Sequence, residues 1–351
     1  GQSHFVLIPE TLSPMAGAAR PVREPGTSGL EVRTIGDGVV AWRVAPRGPA
    51  ARAGIRPGDR VLAVGELVVD SAARALLASA RDSVTAHRLL AAAVMVQLQG
   101  GVGDTVAVRV QPARGRPRVR MLRHGPIEGQ VTRYGNLPPM AVHAEATPVR
   151  LGHGRTATLL RFNGWFPVLG PRLDSLLFAH RDAAGLVIDL RGNGGGVVGM
   201  IAGFSGHFLD TVTSLGELRS RGSTIRFSSN PRTVRPSGAR VPVYQGPIAI
   251  LVDEFTASTS EFFASGMQAL GRARVFGSRS SGQALPAAMG RLPSGDVLLH
   301  VIADHEDAKG RRVEGVGITP DEPVALTYRD LQAGRDAPFD AARRWLARGA
   351  P

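Results

Sequence analysis

Leu186-Val187-Ile188-Asp189-Leu190 is an apolar run that ends directly in Arg191-Gly192-Asn193-Gly194-Gly195-Gly196. A run this short, stopped by glycine, reads as a strand that no helix can extend. Three glycines in succession permit positive φ and leave main-chain N–H groups open to a ligand. A helical pattern follows to Leu209. The same succession returns at Ile248–Val252, which leads through a polar turn into a helical pattern from about 259 to 270. Thr158–Phe162 followed by Leu173–Arg181 makes a third unit. Short apolar runs alternating with helices predict a buried, mainly parallel sheet. Val297–Ile302 and the stretch 313–326 are expected to add further strands.

The chain has 351 residues, which predicts two or three domains, and a hydrophobic fraction of 43%, enough for a sizeable core. It has no cysteine, which excludes disulfides, thiolate metal sites and cysteine nucleophiles. No His/Asp/Glu group has metal-ligand spacing, so no metal and no cofactor is expected. Gly194, Gly196 and Gly199 satisfy G-x-G-x-x-G, with Glu217 at the distance of a ribose contact. That pattern alone is weak, and Glu217 follows no clear second strand. The longest apolar runs, such as Leu89–Val96, are too short to span a membrane. Residues 1 onward show no basic n-region before an apolar stretch, so no signal peptide is read there.

The net charge is +13, and the 42 basic residues include one lysine, Lys309. Arginines are spread along the whole chain, densest at Arg109, Arg114, Arg116, Arg118, Arg120 and Arg123. Alternate residues from Arg114 to Arg120 would share one strand face. Few aromatics lie nearby to stack on bases, so nucleic acid is not an expected partner. An acidic partner or a membrane surface remains open.

Residues 1–25 are proline-rich and read as an arm or linker. Residues 26–125 read as a small β-rich domain, with strands at Val39–Val44, Arg60–Val64, Thr105–Val110 and Val119–Leu122, and helix over 71–99. Pro49–Gly54 fits a short helical turn closed by glycine. The string Pro49-Ala50-Ala51-Arg52-Ala53-Gly54-Ile55-Arg56-Pro57-Gly58-Asp59-Arg60-Val61-Leu62-Ala63-Val64, preceded by Ala45-Pro46, resembles a bacterial PDZ domain. The resemblance implies that Gly29, Leu30, Glu31 and Val32 form the loop that holds a C-terminal carboxylate. A peptide would then add to the sheet edge.

Residues 126–351 hold the alternating pattern. Within them, Thr256-Ala257-Ser258-Thr259-Ser260-Glu261 directly follows Ile248–Val252. Ser258-x-x-Glu261 is a capping box for the next helix. A serine at a strand–helix junction is also well placed as a nucleophile, because the helix start offers free N–H groups. Leu186–Gly196, Ile250–Glu261, Gly271–Gly277 and Glu314-Gly315-Val316-Gly317-Ile318-Thr319-Pro320-Asp321 together resemble the core of the carboxyl-terminal processing (tail-specific) serine peptidases. The implied fold is an α/β core of the ClpP/crotonase-like type, with an inserted or preceding PDZ-like β-rich domain. By this resemblance Ser258 is the nucleophile, and Thr259 with Gly195 or Gly196 supplies the oxyanion N–H groups.

The family's base is a lysine 25 residues after the serine; that position here is Gln283, and Ala287 stands where a supporting glutamine is expected. An amide cannot take up a proton at neutral pH. Lys309 lies in a polar hairpin. The base is therefore expected to be a histidine or a carboxylate. Glu314 matches the glutamate of a tricorn-like branch, and His305 is the candidate histidine, with His143 and His153 as alternatives. The implied activity is a serine endopeptidase acting on proteins or peptides captured by their C-termini, outside the cytoplasm. The alternative is an inactive peptide-binding relative. The sequence does not indicate an oligomeric state.

Overall fold

The structure is a computed structural model and describes residues 6–8, 24–79, 83–132, 140–235 and 237–349. It divides into two compact units, one of residues 19–128 with 325–337, the other of 1–18, 129–324 and 338–351.

In the smaller unit an antiparallel sheet runs in the order β1 (Leu30–Ile35), β2 (Gly38–Val44), β3 (Arg60–Val64), β4 (Thr105–Gln111) and β5 (Arg118–Arg123). Val32, Val39, Ala41, Val61, Val64, Val108, Val110 and Leu122 are buried in it. Between β2 and β3 lies α1 (Pro49–Arg52), with proline at its start, where no N–H is missed. Between β3 and β4 lie α2 (Val69–Ser79) and α3 (Ser83–Gln97). Ala86, Leu90, Ala91 and Val94 recur at helical spacing and turn one face of α3 inward. The Thr34 hydroxyl donates to the His87 carbonyl at 2.8 Å, so α3 lies along the edge strand β1.

Two segments differ from the expectation. Most of the N-terminal stretch 1–25 lies outside the described residues, but Val6–Ile8 is a strand paired antiparallel with Val297–Leu299. Residues 325–337 do not belong to the core's unit: Leu331, with partly buried Leu326 and Tyr328, packs on Val40 and Trp42 of β2. A return over nearly 300 residues leaves no local pattern to read.

The larger unit is built on a six-stranded sheet in the order β6 (Ala144–Gly152), β7 (Arg155–Phe162), β8 (Leu186–Asp189), β9 (Ile248–Val252), β10 (Arg274–Gly277) and β11 (Glu322–Pro323). β6 pairs antiparallel; every other neighbour is parallel. Helix α4 (Gly170–Ala179) precedes β8, α5 (Met200–Ser205) follows it, and α6 (Thr259–Ala269) follows β9. Val187, Ala249, Leu251 and Phe276 face Ala341, Ala342 and Leu346 of the last helix. Leu186, Ile188, Ile250 and Val252 face the opposite way, toward α4, α5 and α6. Both faces are thus covered, as unbroken apolar strands require. The stretch 313–326 is strand only at Glu322–Pro323; Gly315 and Gly317 both hold φ near +75° and make it a chain of turns. Because β8 and β9 are parallel neighbours, the loops that leave them open on one edge of the sheet.

Candidate active site

The loop after β8 is anchored by charge. Asp189 is fully buried and accepts from the Arg191 main chain at 3.1 Å and from its guanidinium at 2.9 Å; Arg161 on β7 donates to the same carboxylate at 3.0 Å. Gly192 N–H reaches Asp253 Oδ1 at the end of β9, and Thr256 Oγ1 donates to the Leu190 carbonyl at 2.9 Å. The two strand ends are therefore tied together before either candidate residue is reached.

Asn193 then holds the glycines. Its amide nitrogen donates to the Phe162 carbonyl and its Oδ1 accepts the Gly195 N–H at 3.0 Å. Gly195 sits at φ +100° against the candidate serine: a Cβ built on it would fall 2.7 Å from Ser258 Cβ and 3.0 Å from Thr259 N. Gly196, at φ +145°, is strapped to Trp165, whose N–H donates to Gly195 O and whose carbonyl accepts from Val197. Thr259 Oγ1 donates to the Gly196 carbonyl at 2.8 Å. The glycine loop thus lies directly on the start of α6.

Ser258 begins that helix at φ 53°, ψ −123°. Positive φ at a residue with a Cβ is strained by about 1–3 kcal/mol and persists where surroundings enforce it. A sharp strand-to-helix turn of this kind lifts a nucleophile's hydroxyl clear of the sheet. Thr259, first in the helix, has no intrahelical acceptor for its N–H. Among the described residues neither Thr259 N–H nor Gly196 N–H has a hydrogen-bond partner. The Gly195 N–H is committed to Asn193, so of the two glycines only Gly196 has an N–H to offer.

Glu261 is the residue whose role the sequence understated. The capping box gave its bond to the Ser258 N–H, seen at 3.1 Å. The reciprocal approach of the Glu261 N–H to the Ser258 hydroxyl falls short of a hydrogen bond, since that N–H goes to the Ser258 carbonyl at 2.8 Å. The buried carboxylate also accepts from Ser280 Oγ at 2.5 Å, Gly282 N–H at 2.8 Å and Gln283 N–H at 3.0 Å. Burial pushes this carboxyl up to about 7, against four donors that pull it down. Ser280, 19 residues onward, could not have been connected to Glu261 from spacing alone.

The loop 280–284 closes the other side. Ser258 N–H also donates to the Gln283 carbonyl at 2.8 Å, while Gln283 Oε1 accepts from Ser281 Oγ at 3.0 Å. Glu314 is buried and its Oε2 accepts the Ala284 N–H at 3.0 Å; the next residue, Gly315, donates to the Gly282 carbonyl. Ser258, Gln283, Glu314 and the glycines are thus assembled in one place.

His305 is not brought to the serine. It is fully buried, stacked on Phe262 with ring centroids 3.9 Å apart, and among the described residues neither ring nitrogen has a hydrogen-bond partner. Burial holds it down to about 4, against the opposing pull of Asp307 and Asp304. The strand Asp304–Asp307 alternates outward and inward, and the inward His305 meets Phe262 of α6, a turn beyond Ser258. His143 is exposed beside Asn163, and His153 lies at φ 49° in the exposed turn between β6 and β7. Lys309 is exposed. Among the described residues no group of three or more His, Asp or Glu could hold a metal ion, and no helix is long and apolar enough to cross a membrane.

Residues 172–324 match the model of peptidase family S41, and residues 42–86 match that of a PDZ domain. The chain is 25% identical over 296 residues to a chloroplastic carboxyl-terminal-processing peptidase 2 of Arabidopsis thaliana, covering 83% of this chain and 50% of that protein. It is 29% identical over 161 residues to a carboxyl-terminal-processing protease of Picosynechococcus sp., covering 44% of this chain and 36% of that one. The chain spans about half the length, or less, of these curated relatives. Among solved structures it resembles a photosystem II D1 C-terminal processing protease, with a TM-score of 0.56 and 20% identity over 98% of this chain and 82% of that one. It also resembles mature CPAF complexed with lactacystin, with a TM-score of 0.64 and 14% identity over 99% of this chain and 86% of that one. At such identities the likeness establishes the fold.

Proposed function

We propose, for a chain that belongs to the carboxyl-terminal processing (S41) peptidase family and carries a PDZ domain, that it is a serine endopeptidase using Ser258 with a base other than lysine. The observation that carries this is the Ser258 backbone, strained at φ 53° beside the Thr259 and Gly196 N–H groups, neither of which has a partner among the described residues. A helix start by itself accounts for the free Thr259 N–H, but not for positive φ at Ser258 or for the Gly196 N–H beside it.

In this reading the PDZ-like unit captures an extended protein segment by its C-terminus. Gly29 turns at φ +67°, its N–H held by Thr27 Oγ1, and leads into the open edge of β1. Leu30 and Val32 point inward and Glu31 outward. The Ser258 hydroxyl attacks the scissile carbonyl and gives its proton to the base. The carbonyl oxygen, now an anion, takes hydrogen bonds from the Thr259 and Gly196 N–H groups. The amine leaves with the proton, and water releases the acyl-enzyme. With His305 stacked away from the serine, the base role goes to Glu314, held against the residue that follows Gln283. The family resemblance supports a site of action outside the cytoplasm.

A second reading, a peptide-binding relative without catalysis, is favoured by one observation. Gln283 has no proton-accepting chemistry, and its Oε1 is engaged with Ser281. The test is hydrolysis of an internally quenched peptide with a free C-terminus by the wild-type chain, Ser258→Ala and Glu314→Gln. The first reading expects cleavage by the wild type alone. Retention of the peptide without cleavage by any of the three supports the second.

A further inference from the structure

The sheet of the smaller unit has two edges, and only β1 has been given an occupant. Among the described residues the other edge, β5, pairs with β4 alone. In an antiparallel pair every second residue turns its N–H and C=O away from the partner, so β5 presents a row of open main-chain groups.

The side chains around this edge are unusual in charge. From Thr105 to Arg123 the sequence holds six arginines and no aspartate or glutamate. Among the described residues none of the six is in an ion pair. The two faces of the β4–β5 pair differ. Arg118 and Arg120 lie opposite buried Val110 and Val108, and both pull down the carboxyl of Asp59, which burial otherwise raises. The outer face carries Val119 and Met121, 58% and 60% exposed, with Arg109 opposite Val119 and Arg123 at the strand's end. Open backbone, exposed apolar side chains at alternate positions and arginines outside any ion pair therefore coincide at this edge, Arg118 and Arg120 being the two that also lie near Asp59.

We propose that β5 is a strand-addition site for an acidic, extended polypeptide segment of a partner protein, one in which acidic and apolar residues alternate. A polypeptide is what can satisfy a row of N–H and C=O groups. Its apolar side chains would cover Val119 and Met121, and its carboxylates would take the arginines in charge-assisted bonds. The same arginines repel a second copy of this chain from pairing edge to edge, so one charge pattern both blocks self-association and selects an acidic partner. A nucleic acid would find no aromatic residue between Thr105 and Arg123 to stack on. An anionic bilayer would neutralise the charge but leave the strand edge unpaired.

The test is fluorescence polarisation with a labelled Glu-Val-Glu-Leu-Glu-Val-Glu peptide, amidated so that carboxylate capture at β1 does not contribute. The full chain is used in the Ser258→Ala form. Saturable binding is expected, weakened at least about tenfold by Val119→Glu with Met121→Glu. The same loss is expected on the unaltered β5 when alternate amides of the peptide are N-methylated, which removes strand pairing and keeps the charge. The proposal is overturned by absence of binding, or by equal binding of the methylated peptide. It is also overturned if phosphatidylserine vesicles or an oligothymidine compete more tightly than the peptide. Val119 and Met121 are exposed, so circular dichroism of the double variant should match the parent; if it does not, the methylated peptide alone decides.

Discussion

Ser258 and Gln283 are joined main chain to main chain: the serine N–H donates to the glutamine carbonyl at 2.8 Å, and Glu261 Oε2 accepts from the N–H groups of both. The proposed nucleophile and the residue at the position where a lysine is expected therefore share one hydrogen-bonded frame. Against the pattern that the resemblance implies, the side chains that differ are Gln283, on this bonded backbone, and Ala287.

Gln283→Lys should accordingly raise activity. A lysine on this half-buried loop would be desolvated and lose its proton more readily than in water. A positioned base contributes about 10²–10⁴-fold. The expected outcome is at least about a tenfold gain in kcat/KM on the quenched peptide, with a pH profile that rises toward alkaline pH. An unchanged rate would mean that the frame does not point residue 283 at the serine hydroxyl.

Glu261→Gln should weaken the frame without removing either candidate catalytic side chain. An amide presents one oxygen and one NH2, so one pair of donors, either Ser258 and Gln283 or Ser280 and Gly282, would face hydrogens instead of an acceptor. The expected cost is about 1–3 kcal/mol in urea unfolding. Because the folded carboxyl sits at about 7 and the ordinary value is 4.5, the folded state binds the proton more tightly. That contribution is fully present below 4.5 and lost as pH rises through 7, and the glutamine variant should lack this part of the pH dependence.

His305 has the opposite sign. Its folded value is about 4 and its ordinary value 6.5, so the unfolded chain binds the proton more tightly. The stability it supports is present above 6.5 and lost as pH falls toward 4. His305→Phe keeps the stack on Phe262 and removes two buried, unpartnered nitrogens. The variant should be more stable than the wild type, with the difference widening from pH 6.5 to 4. Thermal unfolding midpoints across that range check it.

Gly195→Ala should be severe. The added Cβ would meet Ser258 Cβ at 2.7 Å and would require φ +100° of a residue that disfavours it. A loss of about 2 kcal/mol or more is expected, with displacement of the serine. Denaturant unfolding and peptide hydrolysis, measured on the same preparation, should both report it.

The sheet and the catalytic-type turns were legible because they are local. Apolar runs stopped by a glycine loop and by a polar turn gave β8 and β9, and Ser258-x-x-Glu261 gave the start of α6. What was not legible depends on distance. His305 reads as a plausible base from its place in the chain, but strand alternation sends its ring against Phe262. Glu261 reads as a cap because three of its four donors come from residues 280–283. Residues 313–326 read as strand by composition, and positive-φ glycines turn them instead. Val6–Ile8 and 325–337 find partners hundreds of residues away, where no periodicity reaches.

The proposed activity stands on Ser258 being an activated nucleophile rather than a helix cap. Fluorophosphonate labelling of the wild-type chain beside Ser258→Ala, repeated with a bound C-terminal peptide and followed by peptide mapping, tests it directly. Modification confined to Ser258 and absent from the alanine variant is the expected result. No labelling of Ser258 with or without the peptide would contradict it and leave a peptide-binding protein on a peptidase fold.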